Sequence, residues 1–370
     1  MIETAVILVA VIFGLLGIVF YFSKKTTEYV FVNSAVSAWE SKLLPESKLM
    51  ELADAPDMKA VLSALSESEY GRFLEKGEDT DIEKIEVGLH LHLAGKFRGL
   101  LEMVPGDRRR TVELLLWRTD LVNLKSIVTM ISLGVPKEER KKQLLPSLTP
   151  PERLELLSSA TTIEELMEFL KDSWFSEAFS GGGEILEPGA VLRILDKNYY
   201  SLLWKEVVSK KSQRKVLMRA AGYLIDSVNA MTILRLKREG IQPQEIENYL
   251  IKPSFELTEE MIKAMLASET IQDAIHMIHI TSVGKALKEV AEEIEKGGVE
   301  VAEIALEKGY LKLCRGLAMA EFFSIAPVLA YIALKENEVR NLRVIMRMKA
   351  DGIKPEEIKG EIVGVPKVEL

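Results

Sequence analysis

The feature that most limits how this chain can fold is a short pattern written three times. Asp120-Leu121-Val122-Asn123, Asp226-Ser227-Val228-Asn229 and Glu338-Val339-Arg340-Asn341 each place an acidic residue three before an asparagine. A glycine follows that asparagine by 11 residues in every copy, at Gly134, Gly240 and Gly352. Upstream, Leu52/Met58, Leu157/Ile163 and Met265/Ile271 repeat an apolar pair six apart, and His92, Tyr199 and Tyr310 precede the three acidic residues by 28, 27 and 28. The markers agree on a period of about 107 residues, longer than a solenoid unit and close to a small domain. The chain is therefore read as three homologous helical domains in series, 26–147, 148–255 and 256–370, after a leading segment 1–25.

The pattern around each copy is helical. Val339, Leu342, Ile345 and Met346 recur at three- and four-residue steps, which gives an apolar stripe, while Arg340, Arg343 and Arg347 share a neighbouring face. Gly352 suits a helix stop, and Pro355 with Glu356 and Glu357 suits the first turn of the next helix. Similar reading predicts one helix from Arg109 to Leu133, another from Gln213 to Glu239, and caps at Thr149 and Thr258 where the second and third domains open. Gly181-Gly182-Gly183 reads as a linker. No run alternates like a strand and no heptad seam is sustained, so the fold class is all-α.

Residues 5–22 carry no charge, and 18 residues of helix reach about 27 Å, close to the hydrocarbon thickness of a bilayer. This predicts one N-terminal transmembrane helix. Glu3 before the run and Phe20-Tyr21-Phe22 at its end do not suit a cleaved signal, and Lys24-Lys25 leaves the rest of the chain on the cytoplasmic face of the cell membrane. Ala10 and Gly14, with Gly17 on an adjacent face, form a small-residue surface for another helix or ordered lipid. A net charge of −8 argues against nucleic acid as a main partner, and Cys314, the single cysteine, allows no internal disulfide.

Candidate sites are few. No Gly-x-x-x-x-Gly-Lys loop cradles a phosphate, and no nucleophile, base and orienting group converge, so no catalytic residue and no cofactor is expected. His276 and His279 have a spacing that lets both face one metal, but nothing nearby completes a ligand set; His90 and His92 lie on different helix faces. No metal is expected. Asn123, Asn229 and Asn341, each beside an apolar stripe, read as buried amides at the interfaces between repeats, together with Asp120, Asp226 and Glu338. Arg340, Arg343 and Arg347 align with Val122, Lys125 and Thr129 in the first repeat and with Val228, Met231 and Arg235 in the second. This broken threefold pattern makes the arginine ridge the candidate partner-binding surface.

Three tandem helical repeats, the opening Tyr29-Val30-Phe31-Val32-Asn33, and Asn337-Glu338-Val339-Arg340-Asn341-Leu342-Arg343 followed by Gly352-Ile353-Lys354-Pro355-Glu356-Glu357-Ile358 together resemble the C subunit of archaeal A-type ATP synthases and its eukaryotic V-type counterpart, the d subunit. The resemblance runs from about Thr26 to Ile362. It implies a non-catalytic central-stalk subunit whose three pseudo-threefold domains form a funnel. That funnel would sit on the membrane rotor ring and receive the tip of the central shaft, within a complex that couples ATP to ion or proton transport. The segment before Thr26 departs from the family pattern as an addition; an anchor that turns with the rotor is compatible only with the ring's central hole. The alternative reading is a membrane-anchored helical scaffold unrelated to rotation, which would purify without rotary-ATPase subunits.

Overall fold

A computed structural model of the chain describes residues 12–17, 27, 29–74, 81–171, 187–210 and 214–365. Among them there is no strand, as the all-α reading expects. After a helical stretch at 29–40, the first third contains α1 (Glu46–Asp54), α2 (Met58–Leu65), α3 (Ile82–Met103), α4 (Gly106–Leu116), α5 (Arg118–Ser132) and α6 (Lys137–Lys142). The second contains α7 (Pro151–Ser159), α8 (Ile163–Leu170), α9 (Pro188–Ser209), α10 (Arg214–Arg238) and α11 (Pro243–Ile246), followed by a 3-10 turn at Glu247–Tyr249. The last contains α12 (Glu259–Ala267), α13 (Ile271–Met277), α14 (Ser282–Lys288), α15 (Ala291–Gly297), α16 (Glu300–Ala320), α17 (Ala326–Ala350) and α18 (Pro355–Glu361).

The same local chemistry starts and stops equivalent helices. The second short helix of each third is capped by a side chain: Asp57 accepts from Ala60 N at 2.8 Å, Thr162 from Glu165 N at 3.2 Å and Thr270 from Asp273 N at 3.0 Å. At the other end of each third, Gly134, Gly240 and Gly352 adopt φ of 69°, 75° and 71°, which a side chain would disfavour. The residue after each glycine then donates its N–H to a carbonyl five back: Val135 to Met130, Ile241 to Leu236 and Ile353 to Met348, all at 2.9 Å.

Two expectations change. The single helix predicted over Arg109 to Leu133 is divided at Trp117, where ψ is 3° and the N–H is shared between the carbonyls of Glu113 and Leu114. The buried indole, with the Arg110 guanidinium 4.4 Å over its ring, holds the tightened turn. Thr149 caps nothing: the Pro150-Pro151 pair starts α7 one residue late, with Pro150 as its N-cap, and the Thr149 N–H points to Asp120 instead. Thr258 does cap α12, by accepting from Met261 N at 3.3 Å.

The predicted span at 5–22, including Ala10, and the Gly181-Gly182-Gly183 linker lie mostly or wholly outside the described residues. Within 12–17 the chain is helical and exposed, and Gly14 and Gly17 have nothing within 4 Å of where a side chain would stand. No helix among the described residues is long and apolar enough to cross a membrane.

The long helices pack in a closed circuit. α3 meets α4 and, through it, α5; α5 packs on α9, α9 on α10, α10 on α16, α16 on α17, and α17 returns to α3. Each closing short helix also packs on the opening helix of the following third: α6 on α7, α11 on α12, and α18 on α1. The apolar core follows this route and does not divide by thirds. One cluster joins the first two thirds to α17, a second fills the last third between α10 and α16, and a small third lies between α16 and α17.

Buried polar groups hold the segment that closes each third: the asparagine amides bond within their own third, not across an interface between thirds as the sequence reading expects, and the carboxylates three residues earlier reach the next one. Asn123, Asn229 and Asn341 each form a two-point amide bridge to the backbone 22 residues on. Asn229 donates to Ile251 O (3.0 Å) and accepts from Ile251 N (2.8 Å); Asn123 does the same with Leu145 (2.7 and 2.9 Å) and Asn341 with Val363 (3.0 and 3.0 Å). Three residues earlier, Asp120 accepts from Ser147 Oγ and Thr149 N, and Asp226 from the N–H groups of Phe255, Glu256 and Leu257, so each carboxylate grips the entry to the next third. Glu338 grips the first third and not the segment that follows it. Its carboxylate accepts instead from Leu44 N at 2.6 Å, ahead of α1, and from the buried Tyr70 hydroxyl at 2.5 Å.

Burial raises the Asp226 carboxyl to about 6 despite its three N–H donors. For the amides the cost of loss follows from what is orphaned. Val363 O keeps a second donor, Asn337 Nδ2 at 3.0 Å, whereas among the described residues no other side chain serves the Ile251 backbone. Asn229→Leu is therefore expected to destabilise by on the order of 2–4 kcal/mol and Asn341→Leu by about 1–2 kcal/mol. Denaturant unfolding of the two variants checks the order; an equal or reversed effect contradicts this account.

Candidate functional site

The circuit of long helices surrounds a cavity of about 630 Å³, and every third contributes to its wall. The aligned positions Val122, Val228 and Arg340 all line it, as do Lys125, Met231 and Arg343. Thus two of the three ridge arginines face the cavity with their counterparts; Arg347 does not line it.

Each ridge arginine is already paired within the chain. Arg340 lies 2.8 Å from Glu307 and donates to Glu361 O, while Arg343 and Arg347 reach the buried Glu86 at 3.4 and 2.9 Å. The last two pairs cross from α17 to α3, and they have equivalents at the other joints: Lys125–Asp196 at 2.7 Å between α5 and α9, and Arg235–Glu303 between α10 and α16. One set of ion pairs therefore bridges each joint between thirds. Most members are partly exposed, so each pair is worth at most about 1 kcal/mol, and their value lies in orientation and in screening by salt. Arg118 adds a further link, 3.2 Å from Glu336 across α5 and α17. Burial raises the Glu307 and Glu336 carboxyls, an effect that Arg118 opposes at both, with Arg340 also opposing it at Glu307.

At the joint between the last third and the first, a second group of charges surrounds an enclosed Lys335–Glu338 pair. Lys335, 1% exposed, sits 2.6 Å from Glu338 and 3.8 Å from Glu69, with its ammonium 4.6 Å over the Tyr70 ring. Lys96 completes the cluster at 2.6 Å from Glu69. Burial, then the Glu338 charge, pushes the Tyr70 hydroxyl well above its ordinary value, so it stays a donor. Burial raises the Glu69 carboxyl, but Lys96 and Lys335 together bring it below the usual range.

His90 and His92 are both buried on α3, which the sequence did not predict. His90 lines the cavity and neither of its ring nitrogens has a protein partner; burial and the Arg343 charge lower it to about 4. His92 packs between Tyr70 and Phe73 and is lowered to about 3 by burial and Lys335. His276 and His279 instead stack at the surface, with ring centroids 5.1 Å apart. Among the described residues no three His, Cys, Asp or Glu are grouped to hold a metal ion.

The histidines give a pH prediction. An imidazole titrating near 6.5 when unfolded and near 4 when folded lends its full stability above pH 6.5, and loses it as pH falls from 6.5 toward 4. For His90 this amounts to on the order of 3 kcal/mol. The wild type should lose unfolding free energy over that interval more steeply than His90→Gln; parallel profiles would show that the ring is protonated or solvated in the fold.

Known proteins share this pattern over most of its length. The family model described as ATP synthase (C/AC39) subunit matches residues 32–361. The chain is similar to the A-type ATP synthase C subunit of Pyrococcus abyssi, 29% identical over 345 residues that cover 92% of this chain and 91% of that one. It is also similar to the A-type ATP synthase C subunit of Methanocaldococcus jannaschii, 26% identical over 373 residues that cover 98% of this chain and 94% of that one. The part of this chain outside the second match is shorter than the apolar run at 5–22, so that run is at least partly matched in one relative and is not an addition peculiar to this chain. The chain thus belongs to the ATP synthase (C/AC39) subunit family and is a subunit of an A/V-type ATP synthase.

Proposed function

We propose that this protein is a non-catalytic coupler of the central stalk, carrying torque between the shaft and the membrane ion-translocating ring. The observation that supports this most is the closed circuit of long helices around a cavity to which all three thirds contribute. In this reading the thirds are homologous domains, 26–147, 148–255 and 256–370, arranged with pseudo-threefold symmetry as a funnel, and the cavity receives the shaft tip. Recurrent caps, left-handed glycines and asparagine bridges at one period favour the division, although the cores run across it. The apolar run at 5–22 then crosses the membrane, its Ala10, Gly14 and Gly17 surface facing ordered lipid or another helix in the hole of the ring, and the body lies on the cytoplasmic side. Family membership sets the unrelated-scaffold alternative aside.

Torque transfer requires a stiff wall and a binding surface, not a nucleophile. The paired charges at the joints suit the first need. For the second, Arg340 and Arg343 line the cavity and can exchange their internal carboxylates for acidic or carbonyl groups of a shaft, a contact weakened by salt.

Because all three arginines also pair inside the chain, reversing them to Glu would strike the wall as well as the contact. Val122 offers a cleaner test, since it lines the cavity and is 50% exposed. Val122→Trp should occupy the cavity and lower affinity for the central-shaft subunits by about tenfold or more, on the order of 1.4 kcal/mol or greater, with little change in unfolding midpoint. Unchanged affinity in titration calorimetry would move the shaft contact elsewhere. The isolated protein should also show no ATP hydrolysis.

A further inference from the structure

At one end of the molecule, the helical stretch 29–40 is tied to the loop between α16 and α17. The buried Asn33 amide donates to the carbonyls of Phe322 and Ser324, above Tyr29, Val32 and Val36, which are also buried. Around this tie several outward side chains are large and apolar, with Ser34 and Glu321 exposed among them. Phe31 is 66% exposed, Phe323 61%, Met319 48% and Phe322 44%. The Phe322 and Phe323 rings pack edge to face, 5.4 Å apart. Outside the apolar run, these three phenylalanines are the exposed aromatic residues among those described, and all lie at this one end. A grouping of this kind marks a contact surface, because it leaves clustered apolar area in water that a partner would remove.

The chain itself restricts what covers it. Four residues, Ser23 to Thr26, separate the apolar run from Thr27, and fully extended they let Phe22 and Thr27 stand at most about 18 Å apart. Two of the four are Lys24 and Lys25, suited to a headgroup layer. If 5–22 spans the bilayer, the aromatic end is held at the level where aromatic side chains favour the membrane–water boundary. We propose that Phe31, Phe322 and Phe323 form a wedge seated in the headgroup–acyl boundary of the bilayer, so that the body is clamped against lipid rather than hung from a tether. The inference rests on the reading of 5–22 as a membrane span, and its test separates the two.

Cys314 is fully buried, so cysteines introduced at the surface can be labelled alone. The full chain carrying Phe323→Cys, Phe31→Cys or, within the run, Phe13→Cys is labelled with a polarity-sensitive dye. Each is reconstituted into phosphatidylcholine–phosphatidylglycerol vesicles with or without quencher-bearing acyl chains. The wedge predicts blue-shifted emission and loss of most of the signal to the quencher lipid at positions 323 and 31, as at 13. Quenching at 13 with aqueous emission at 323 and 31 overturns the wedge and leaves the span standing. Quenching at 323 and 31 but not at 13 supports lipid contact and overturns the span. Aqueous emission at all three overturns both. Shielding at 323 that needs the isolated ring and ignores the quencher lipid assigns this surface to ring protein and also overturns the wedge.

Discussion

The buried carboxylate of Glu338 makes the arrangement a circuit instead of a curved row. At the first two joints the chain continues covalently, and Asp120 and Asp226 need only hold the backbone that follows. At the third joint the last third meets the first, far away in sequence. A glutamate, one methylene longer, reaches Leu44 N and Tyr70 from α17, across 294 and 268 positions of sequence. Burying this charge with Lys335 is not a strong source of net stability, since desolvation of both ions offsets much of their attraction. Its effect is specificity. Any packing that separated the last third from the first would strip Glu338 of the Leu44 N–H and Tyr70 hydroxyl and Lys335 of Glu69 and the Tyr70 ring, leaving the two charges only each other.

That closure gives the cavity a continuous wall, which suits the coupling role proposed above. A row of repeats open at one end would flex under load; a circuit resists, because deforming one joint strains the other two. The partly exposed ion pairs at each joint add orientation at little cost, while the apolar clusters that run through the joints carry most of the cohesion. The symmetry of the wall is broken at one position: where the first two thirds present Val122 and Val228, the last presents Arg340, while Lys125, Asp196 and Arg235 keep the other sectors partly polar.

The sequence carried the periodic part of this structure well. Gly134, Gly240 and Gly352 were legible because only a left-handed residue ends those helices economically, and the asparagines because an amide beside an apolar stripe demands a partner. The caps at Asp57, Thr162 and Thr270 repeat at 105 and 108 residues and were open to the same reading, though they were missed. What remained hidden is long-range and breaks the period. Glu86, Asp196 and Glu303 occupy no common register, so nothing local marks them as the acceptors for Arg343, Lys125 and Arg235. His90 and His92 read as helix positions of opposite face, yet α3 is packed on both sides and buries both. The split at Trp117 was invisible because the flanking pattern stays helical through a single residue with ψ near zero.

The closure is the central claim, and amide hydrogen exchange at Leu44 tests it most directly. Leu44 sits in a short non-helical link between the 29–40 stretch and α1, where an unbonded N–H would exchange within seconds. Because its N–H donates to buried Glu338, exchange in the intact protein should be slowed by orders of magnitude, and Glu338→Ala should restore fast exchange there while Asn123 and its joint keep their protection. Fast exchange at Leu44 in the unaltered chain would contradict the account, leaving the three thirds as an open row.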